Sequence, residues 1–257
     1  MNILNNKNIA AIVTGGASGM GEAVASTLAS LGVKVAILDK NYEAAVVVAK
    51  RIEGNAFACD VSDAESVERV FRDLAEVQGG LRICVNCAGI APAQRMVGKD
   101  GPMPLEHFKQ VININLVGTF NVMRLSAFHM MSLDPLSETG ERGVIINTAS
   151  VAAFEGQIGQ LPYSASKGGV VSMTLPAARE LAQFGIRVNT IAPGIIATPM
   201  LLAMPQNVQE SLAASVPFPK RLGRPEEFAR LVCHIIENEM INGAVLRLDG
   251  ALRMQAR

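Results

Sequence analysis

Short apolar runs alternate with longer amphipathic stretches along the whole chain. The apolar runs have the length of buried strands and cover residues 9–13, 33–38, 56–59, 82–85, 143–148, 186–192 and 244–248. The stretches between them have helical patterns, near residues 22–31, 41–53, 62–78, 105–131, 163–184 and from 225 onwards. This alternation is typical of βαβ units. It predicts an α/β protein with a doubly wound fold, in which helices cover both faces of a seven-stranded, mainly parallel sheet.

Three segments interrupt this alternation. Residues 90–104 contain several prolines and glycines and indicate a loop, whereas residues 132–142 are polar and indicate a surface insertion. Residues 198–216 are rich in Met and Leu. They form either a substrate lid, within a loop of about residues 195–218, or an amphipathic helix packed on the sheet. No linker divides the chain, so residues 1–257 are expected to form one domain.

A glycine-rich turn follows the first predicted strand. Its sequence is Thr14-Gly15-Gly16-Ala17-Ser18-Gly19-Met20-Gly21. Glycines between a strand and a helix let the backbone approach a pyrophosphate at the positive helix N-terminus, although they also occur in ordinary tight turns. Asp39 ends the next strand 18 positions after Gly21, near the offset at which a carboxylate binds the adenosine ribose. The two features together predict a Rossmann-type dinucleotide site at Gly15, Ser18, Gly19, Met20, Gly21 and Asp39.

Asp39 also indicates which dinucleotide binds. A 2′-phosphate at ~4 Å from its carboxylate would be repelled by about 4 kcal/mol per unit charge at intermediate dielectric. The glycine-rich turn has no Arg or Lys that would offset this repulsion, although the adjacent Lys40 can soften it. The sequence therefore predicts NAD rather than NADP as the cofactor.

A Tyr and a Lys that are four residues apart carry the candidate chemistry. On a helix, Tyr163 and Lys167 would lie on one face, one turn apart. An ammonium near a phenol favours the phenolate, so Lys167 is expected to lower the pKa of Tyr163 from ~10 toward neutrality, where a general acid–base works best. Ser150 follows an apolar strand and is placed to hold a substrate oxygen. Taken alone, the same spacing also fits an exposed Tyr above a solvated Lys.

The composition excludes several other classes of protein. Apolar residues make up 49% of the chain, and 23 basic residues balance 23 acidic ones, so neither disorder nor a nucleic-acid partner is expected. Cys84 and Cys87 lie inside an apolar run without further ligands at matching spacing, so no metal site is predicted. With neither a run of 18 apolar residues nor a leader pattern, we expect a cytoplasmic protein without a membrane span.

The motifs taken together resemble the short-chain dehydrogenase/reductase family over essentially the whole chain. They are Thr14-Gly15-x-x-x-Gly19-x-Gly21, Asn86-x-Ala88-Gly89, Asn115, Ser150, Tyr163-x-x-x-Lys167 and Pro193-Gly194. The resemblance implies that Tyr163 is the general acid–base, and that Lys167 lowers its pKa and binds the nicotinamide ribose. It also implies that Ser150 orients the substrate oxygen and that Asn115 holds a water in a proton relay.

The same resemblance implies a fuller cofactor site. Asp60 and Val61 would flank the adenine, and Thr198 would bind the nicotinamide amide or a phosphate. The other implied cofactor residues are Asn86, Ala88, Gly89, Tyr163, Lys167, Pro193, Gly194 and Ile196. Members of the family usually form tetramers, so a homotetramer is expected, with the helices near residues 105–131 and 163–184 at one interface.

Within the family, several segments are similar to the type 2 3-hydroxyacyl-CoA dehydrogenases, also called 17β-hydroxysteroid dehydrogenases type 10. These segments are residues 143–160, 216–219, 221–223 and 247–250. The similarity implies NAD-dependent interconversion of 3-hydroxyacyl-CoA and 3-oxoacyl-CoA, with tolerance of hydroxysteroids and a substrate contact from Gln157. Leu161-Pro162 replaces a small pair of that group and reshapes the pocket rim. The alternatives are a 3-oxoacyl-carrier-protein reductase, another secondary-alcohol dehydrogenase, and a dinucleotide-binding scaffold without turnover.

Overall fold

The strands lie side by side in one twisted layer. The computed structural model describes residues 3–5, 8–74, 80–136 and 138–256. Its strands within these ranges are β1 (Ile9–Thr14), β2 (Lys34–Asp39), β3 (Asn55–Ala58), β4 (Gly80–Asn86), β5 (Val97–Gly98), β6 (Gly101–Pro102), β7 (Gly143–Thr148), β8 (Ile186–Pro193) and β9 (Val245–Leu248). Seven of these described strands form one parallel sheet in the order β3-β2-β1-β4-β7-β8-β9. The predicted doubly wound, parallel fold is confirmed.

Helices cover both faces of this sheet. In chain order they are α1 (Gly19–Ser30), α2 (Tyr42–Arg51), α3 (Ala64–Leu74), α4 (Leu105–Ile112), α5 (Gly118–Met131), α6 (Leu161–Ala182), α7 (Pro199–Leu202), α8 (Gln206–Ser215) and α9 (Pro225–Glu237). Val13 of β1 faces a core with Leu28 of α1 and Phe228 of α9, whereas its neighbour Ile12 faces Phe71 of α3 and Met130 of α5. Because successive side chains of β1 point to opposite faces of the sheet, they contribute to two hydrophobic cores, one on each face. Each buried side chain of this size contributes about 1.5–3 kcal/mol.

The long helical pattern at residues 105–131 contains an irregularity. Between α4 and α5 the residues Asn113–Val117 form a turn of π-helix, which the periodicity does not predict. By length and composition, Leu105–Met131 is the one described helix that would be long and apolar enough to cross a membrane. Half of its apolar window is buried in the domain, as in the core helix of an α/β protein.

Two other segments differ from their predictions. The predicted loop at residues 90–104 contains the small β5–β6 hairpin. The described part of α3 runs to Leu74, and the remainder of the helix predicted to residue 78 lies outside the described residues. The polar segment at residues 132–142 is not wholly on the surface. Glu141 is buried and accepts a hydrogen bond of 2.7 Å from Nε of the buried Arg187. The guanidinium of Arg187 also donates to carbonyl oxygens at the end of α9, so the insertion helps to anchor β8.

The order of the strands reverses its direction between β1 and β4. The chain builds β1, β2 and β3 outward to one side and then crosses over to β4, which pairs with the other side of β1. Parallel strands of such a sheet end at the same edge, and a crevice opens where the direction of winding changes. That edge carries the ends of β1, β2, β4, β7 and β8, and with them most of the predicted site residues.

Candidate active site

A cleft of about 800 Å³ opens at this carboxyl edge. One of its ends is formed by the glycine turn (residues 14–21) and Asp39, and the other by the segment after β7 and by helices α7 and α8. The Ser150–Lys167 segment is more than 100 residues away in sequence from both the glycine turn and the end of β2. They meet here because parallel strands deliver their C-terminal residues to the same edge.

The glycine turn is packed too closely for larger residues. Gly15 has φ +63°, and a Cβ there would lie 2.9 Å from the backbone of Ala88, while a Cβ at Gly21 would lie 2.2 Å from the Gly15 carbonyl oxygen. Helix α1 begins at Gly19, so its first N–H groups, which have no acceptor within a helix, belong to residues that line the cleft. Such a cradle of backbone donors fits a pyrophosphate.

Asp39 is fixed at the adenosine end of the cleft. Its Oδ2 accepts a hydrogen bond of 3.0 Å from the Ala17 N–H, and its Oδ1 accepts one of 2.9 Å from the Asn41 N–H. The Lys40 ammonium turns instead to Asp60, with an Nζ–Oδ2 distance of 2.9 Å. Hydrogen bonds from Ser62 and then from Lys40 lower the pKa of Asp60, so this partner stays charged near neutral pH. The positive charge of Lys40, which was predicted to soften the repulsion between Asp39 and a 2′-phosphate, is therefore neutralised by Asp60.

Tyr163 and Lys167 lie on the first turns of α6, as their spacing predicts. The ammonium of Lys167 is buried, donates a hydrogen bond of 2.7 Å to the Thr148 carbonyl, and lies 5.8 Å from the centroid of the Tyr163 ring. Burial lowers the pKa of Lys167 to about 8. Ser150 caps the short turn after β7 by accepting a hydrogen bond of 3.1 Å from the Ala152 N–H. All three predicted side chains line the cleft.

The prediction that the pKa of Tyr163 is lowered toward neutrality is wrong. Burial raises the pKa of Tyr163, and the hydrogen bond with Ser150 opposes this shift only partly. The ammonium of Lys167 is directed to the Thr148 carbonyl oxygen rather than to the phenol oxygen. The phenol is therefore protonated over the neutral pH range.

Two predicted residues are not among the described side chains that line the cleft. Asn115 is fully buried in the π-helical turn, donates to the Ile90 carbonyl at 2.9 Å and to Ser166 Oγ at 3.1 Å, and accepts from the Ile90 N–H at 2.8 Å. It thus fixes the loop after β4. Asn86 faces Asn147 across the β4–β7 pair, donates to its Oδ1 at 2.9 Å, and has a buried Oδ1 without a partner in the described part of the chain. Its assignment as a direct cofactor contact through the side chain is not supported.

The comparisons with known proteins agree with this geometry. The family model described as short chain dehydrogenase matches residues 9–209. The chain belongs to the short-chain dehydrogenase family.

Relatives of this short-chain dehydrogenase match it over nearly its whole length. A 3-hydroxyacyl-CoA dehydrogenase type-2 from Bos taurus is 51% identical over 253 residues and one from Homo sapiens is 50% identical, with 97% of both chains covered in each comparison. The crystal structure of a 3-hydroxyacyl-CoA dehydrogenase type-2 from Mycobacterium avium has a TM-score of 0.91 and 41% identity, and the match covers 97% of this chain and 98% of that one. The predicted resemblance is confirmed, and the chain is an oxidoreductase that acts on CH–OH groups.

The other predicted residues of this short-chain dehydrogenase lie around the cleft. Gln157 lines its substrate end, and the remaining predicted cofactor residues line the same space: Gly15, Ser18, Gly19, Met20, Gly21, Asp39, Asp60, Val61, Ala88, Gly89, Pro193, Gly194, Ile196 and Thr198. Further residues that line the cleft were not predicted, among them Ile90, Ala91, Ile114 and Met254. The first two follow the Asn86-x-Ala88-Gly89 motif, which indicated their position, whereas nothing in the sequence marked Met254.

The Met- and Leu-rich segment lies over the substrate end of the cleft. Leu201, Met204, Val208 and Leu212 of this segment line the cleft, and none of the described residues of α8 is fully buried. The segment therefore borders the cleft, and its function as a substrate lid stays a prediction.

The cysteines belong to the core or its border. Burial raises the pKa of Cys84 to about 12 and that of Cys87 to about 11, so both thiols stay protonated. Among the described residues, no group of three His, Cys, Asp or Glu side chains is placed to hold a metal ion.

Proposed function

We propose that this protein interconverts 3-hydroxyacyl-CoA and 3-oxoacyl-CoA with NAD as its cofactor. The observation that carries the proposal is the arrangement of the cleft. The polar set Ser150, Tyr163 and Lys167 lines the same cleft as the glycine turn and the apolar side chains of helices α7 and α8. The names of the relatives that match over 97% of their length support the choice of a 3-hydroxyacyl-CoA among secondary alcohols.

The residues present fit a nicotinamide dinucleotide. Gly15 and Gly21 let the turn pack closely where a Cβ would collide with the backbone, and the Asp39 carboxylate is held by two backbone N–H groups at the position that suits ribose hydroxyls. Val61 and Asp60 line the cleft beside Asp39, and the side chain of Thr198 lies next to Gly19 of the glycine turn. When bound, the nicotinamide ring supplies the acceptor or donor of the hydride.

Side chains of the protein itself transfer the proton to and from the substrate oxygen. Ser150 and Tyr163 hold the substrate oxygen, and Tyr163 Oη donates its proton during reduction and accepts one during oxidation. The buried phenol is protonated near neutral pH, so it can act directly as the proton donor in reduction. Oxidation requires the phenolate, and its rate is therefore expected to rise with pH. Lys167 is fixed by its hydrogen bond to the Thr148 carbonyl oxygen. Below its pKa of about 8 it carries a positive charge beside the Tyr163 ring.

The test is the initial rate of acetoacetyl-CoA reduction at neutral pH, with NADH compared with NADPH. We expect turnover with a clear preference for NADH. A strong preference for NADPH would contradict the role of Asp39 and support a 3-oxoacyl-carrier-protein reductase instead. Tight NADH binding without turnover of acetoacetyl-CoA would contradict the acyl-CoA assignment and support another secondary alcohol.

We also propose that the protein is a homotetramer. Support comes from large apolar side chains exposed on one long helix and its neighbour α6, namely Val117, Phe120, Phe128, Met131 and Leu175. Light scattering after gel filtration tests the assembly, and a monomer would contradict it. A cytoplasmic location remains a further proposal, supported by four cysteines that are all free thiols. Cell fractionation tests it, and enrichment in an organelle or a membrane would contradict it.

A further inference from the structure

The C-terminal tail, residues 252–256, returns to the substrate end of the cleft. Leu252 is buried and anchors it, and the side chain of Met254, two residues on, lines the cleft. The tail then runs alongside the loop after Ser150. Gln157 Nε2 donates to the Gln255 carbonyl at 3.2 Å, and the Ile158 N–H donates to the Ala256 carbonyl at 3.1 Å. This pairing ties the tail to the segment that carries the predicted substrate contact.

A cluster of charged side chains holds the tail in this place. Arg247 of β9 binds both carboxylate oxygens of Glu155, at 2.8 and 2.9 Å, and its Nε donates to Asp249 at 2.6 Å. Arg253 of the tail reaches the same two carboxylates, with distances of 3.4 Å to Glu155 and 3.2 Å to Asp249. The bidentate pair fixes both position and orientation, because the two planar groups match each other.

Glu155 is the centre of this cluster. Its carboxylate also accepts a hydrogen bond from the backbone N–H of Met254, and these contacts, with that of Arg247 the largest, lower the pKa of Glu155. Glu155 therefore stays charged near neutral pH. It contacts Met254, which lines the cleft. Two positions away in sequence, Gln157 faces the same cleft.

We propose that the tail is a specificity element of the substrate site, in which Met254 closes the apolar end of the cleft and Glu155 and Arg247 position it. This rests on the proposed function in one respect, namely that the substrate series used in the test is a series of 3-oxoacyl-CoA thioesters. Met254 sets which groups fit beyond the reacting carbon. Glu155 and Arg247 act through the tail and are positioning residues.

The first experiment changes the side chain that closes the cleft. Met254→Ala is compared with Met240→Ala, the same substitution at a methionine that is 93% exposed and is not among the described residues lining the cleft. The readout is kcat/KM for a medium-chain 3-oxoacyl-CoA divided by kcat/KM for acetoacetyl-CoA. Since one methylene in an apolar pocket changes discrimination by about 10-fold or more, Met254→Ala should raise this ratio about 10-fold and Met240→Ala by less than about two-fold. Equal ratios in the two variants would overturn the proposal.

The second experiment tests positioning. Glu155→Gln keeps the shape of the side chain and removes its charge, so it should raise KM by about five-fold with kcat nearly unchanged, and shift the ratio in the same direction as Met254→Ala. Glu155→Asp, which keeps the charge, should restore part of the effect. In the double variant Glu155→Gln with Met254→Ala, the ratio of the kcat/KM values should be nearly the same as in Met254→Ala alone. A lowered melting temperature with an unchanged ratio would show a merely structural role and contradict the proposal.

Failure of the proposed function can be distinguished from failure of this inference. If the wild-type protein binds NADH but does not reduce acetoacetyl-CoA, the proposed substrate is wrong. The tail is then tested by hydrogen exchange, because the Ile158 amide is bonded to the Ala256 carbonyl. Glu155→Gln should speed the exchange of this amide, and an unchanged rate would overturn the positioning role whatever the substrate is.

Discussion

Replacing Asp39 with Asn is the sharpest test of how the cleft selects its cofactor. The carboxylate accepts hydrogen bonds from the Ala17 and Asn41 N–H groups at 3.0 and 2.9 Å, so its position is fixed before any ligand binds. Asp39→Asn keeps the size of the side chain and removes the negative charge. The neighbouring Lys40 does not offset that charge in the wild type, because it is paired with Asp60 at 2.9 Å.

The size of the effect follows from Coulomb's law. At ~4 Å, two unit charges interact by about 4 kcal/mol near a protein surface and about 1 kcal/mol in bulk water. Asp39 is half-buried, so a value of about 3 kcal/mol is appropriate, which corresponds to a factor of roughly 100 in relative affinity. Loss of charge-assisted hydrogen bonds to the ribose should weaken NADH binding by about 1 kcal/mol, or roughly five-fold.

The assay is the ratio of kcat/KM with NADPH to that with NADH, at one fixed ionic strength because salt screens the repulsion. Asp39→Asn should raise this ratio about 100-fold or more. Asp63→Asn is the matched control, since Asp63 is exposed near the start of α3 and is not among the described residues lining the cleft. A ratio that changes no more in Asp39→Asn than in Asp63→Asn would refute the reasoning.

Two further predictions concern stability. Glu227 has its pKa lowered to about 2, mainly by the hydrogen bond from Arg221, so Glu227→Gln should cost about 1 kcal/mol at pH 7 after solvent screening. This loss of stability should disappear as the pH falls from the usual glutamate pKa toward about 2. Urea unfolding at several pH values measures it, and a loss that is independent of pH would contradict the prediction. Arg187→Leu removes one partner of the buried pair with Glu141 and should destabilise the protein by about 3–5 kcal/mol, against less than about 1 kcal/mol for Arg51→Leu in an exposed pair. Similar losses in these two variants would show that the buried pair has no special role.

The sequence predicted the fold well where the pattern is local. The strand Gly143–Thr148 was located to the residue, because a run of apolar residues buried on both faces leaves a continuous signal. The glycine turn and Asp39 were recognisable for a similar reason, since each is a short pattern with its own backbone requirement.

The features that were missed depend on contacts between distant residues. The π-helical turn at Asn113–Val117 leaves no periodic signal of its own. Asn86 was assigned to the cofactor from its motif, but its side chain turns toward Asn147 of a neighbouring strand. The pKa of Tyr163 depends on burial and on where the Lys167 ammonium points, and neither is encoded in their spacing.

The central claim is that Tyr163 transfers the proton. Tyr163→Phe removes only the hydroxyl, so NADH affinity measured by fluorescence titration should stay within about two-fold of the wild type. Acetoacetyl-CoA reduction by the same preparation should fall by at least about 100-fold, the range expected for loss of a general acid. A variant that binds NADH normally and keeps a tenth or more of the wild-type rate would contradict the account.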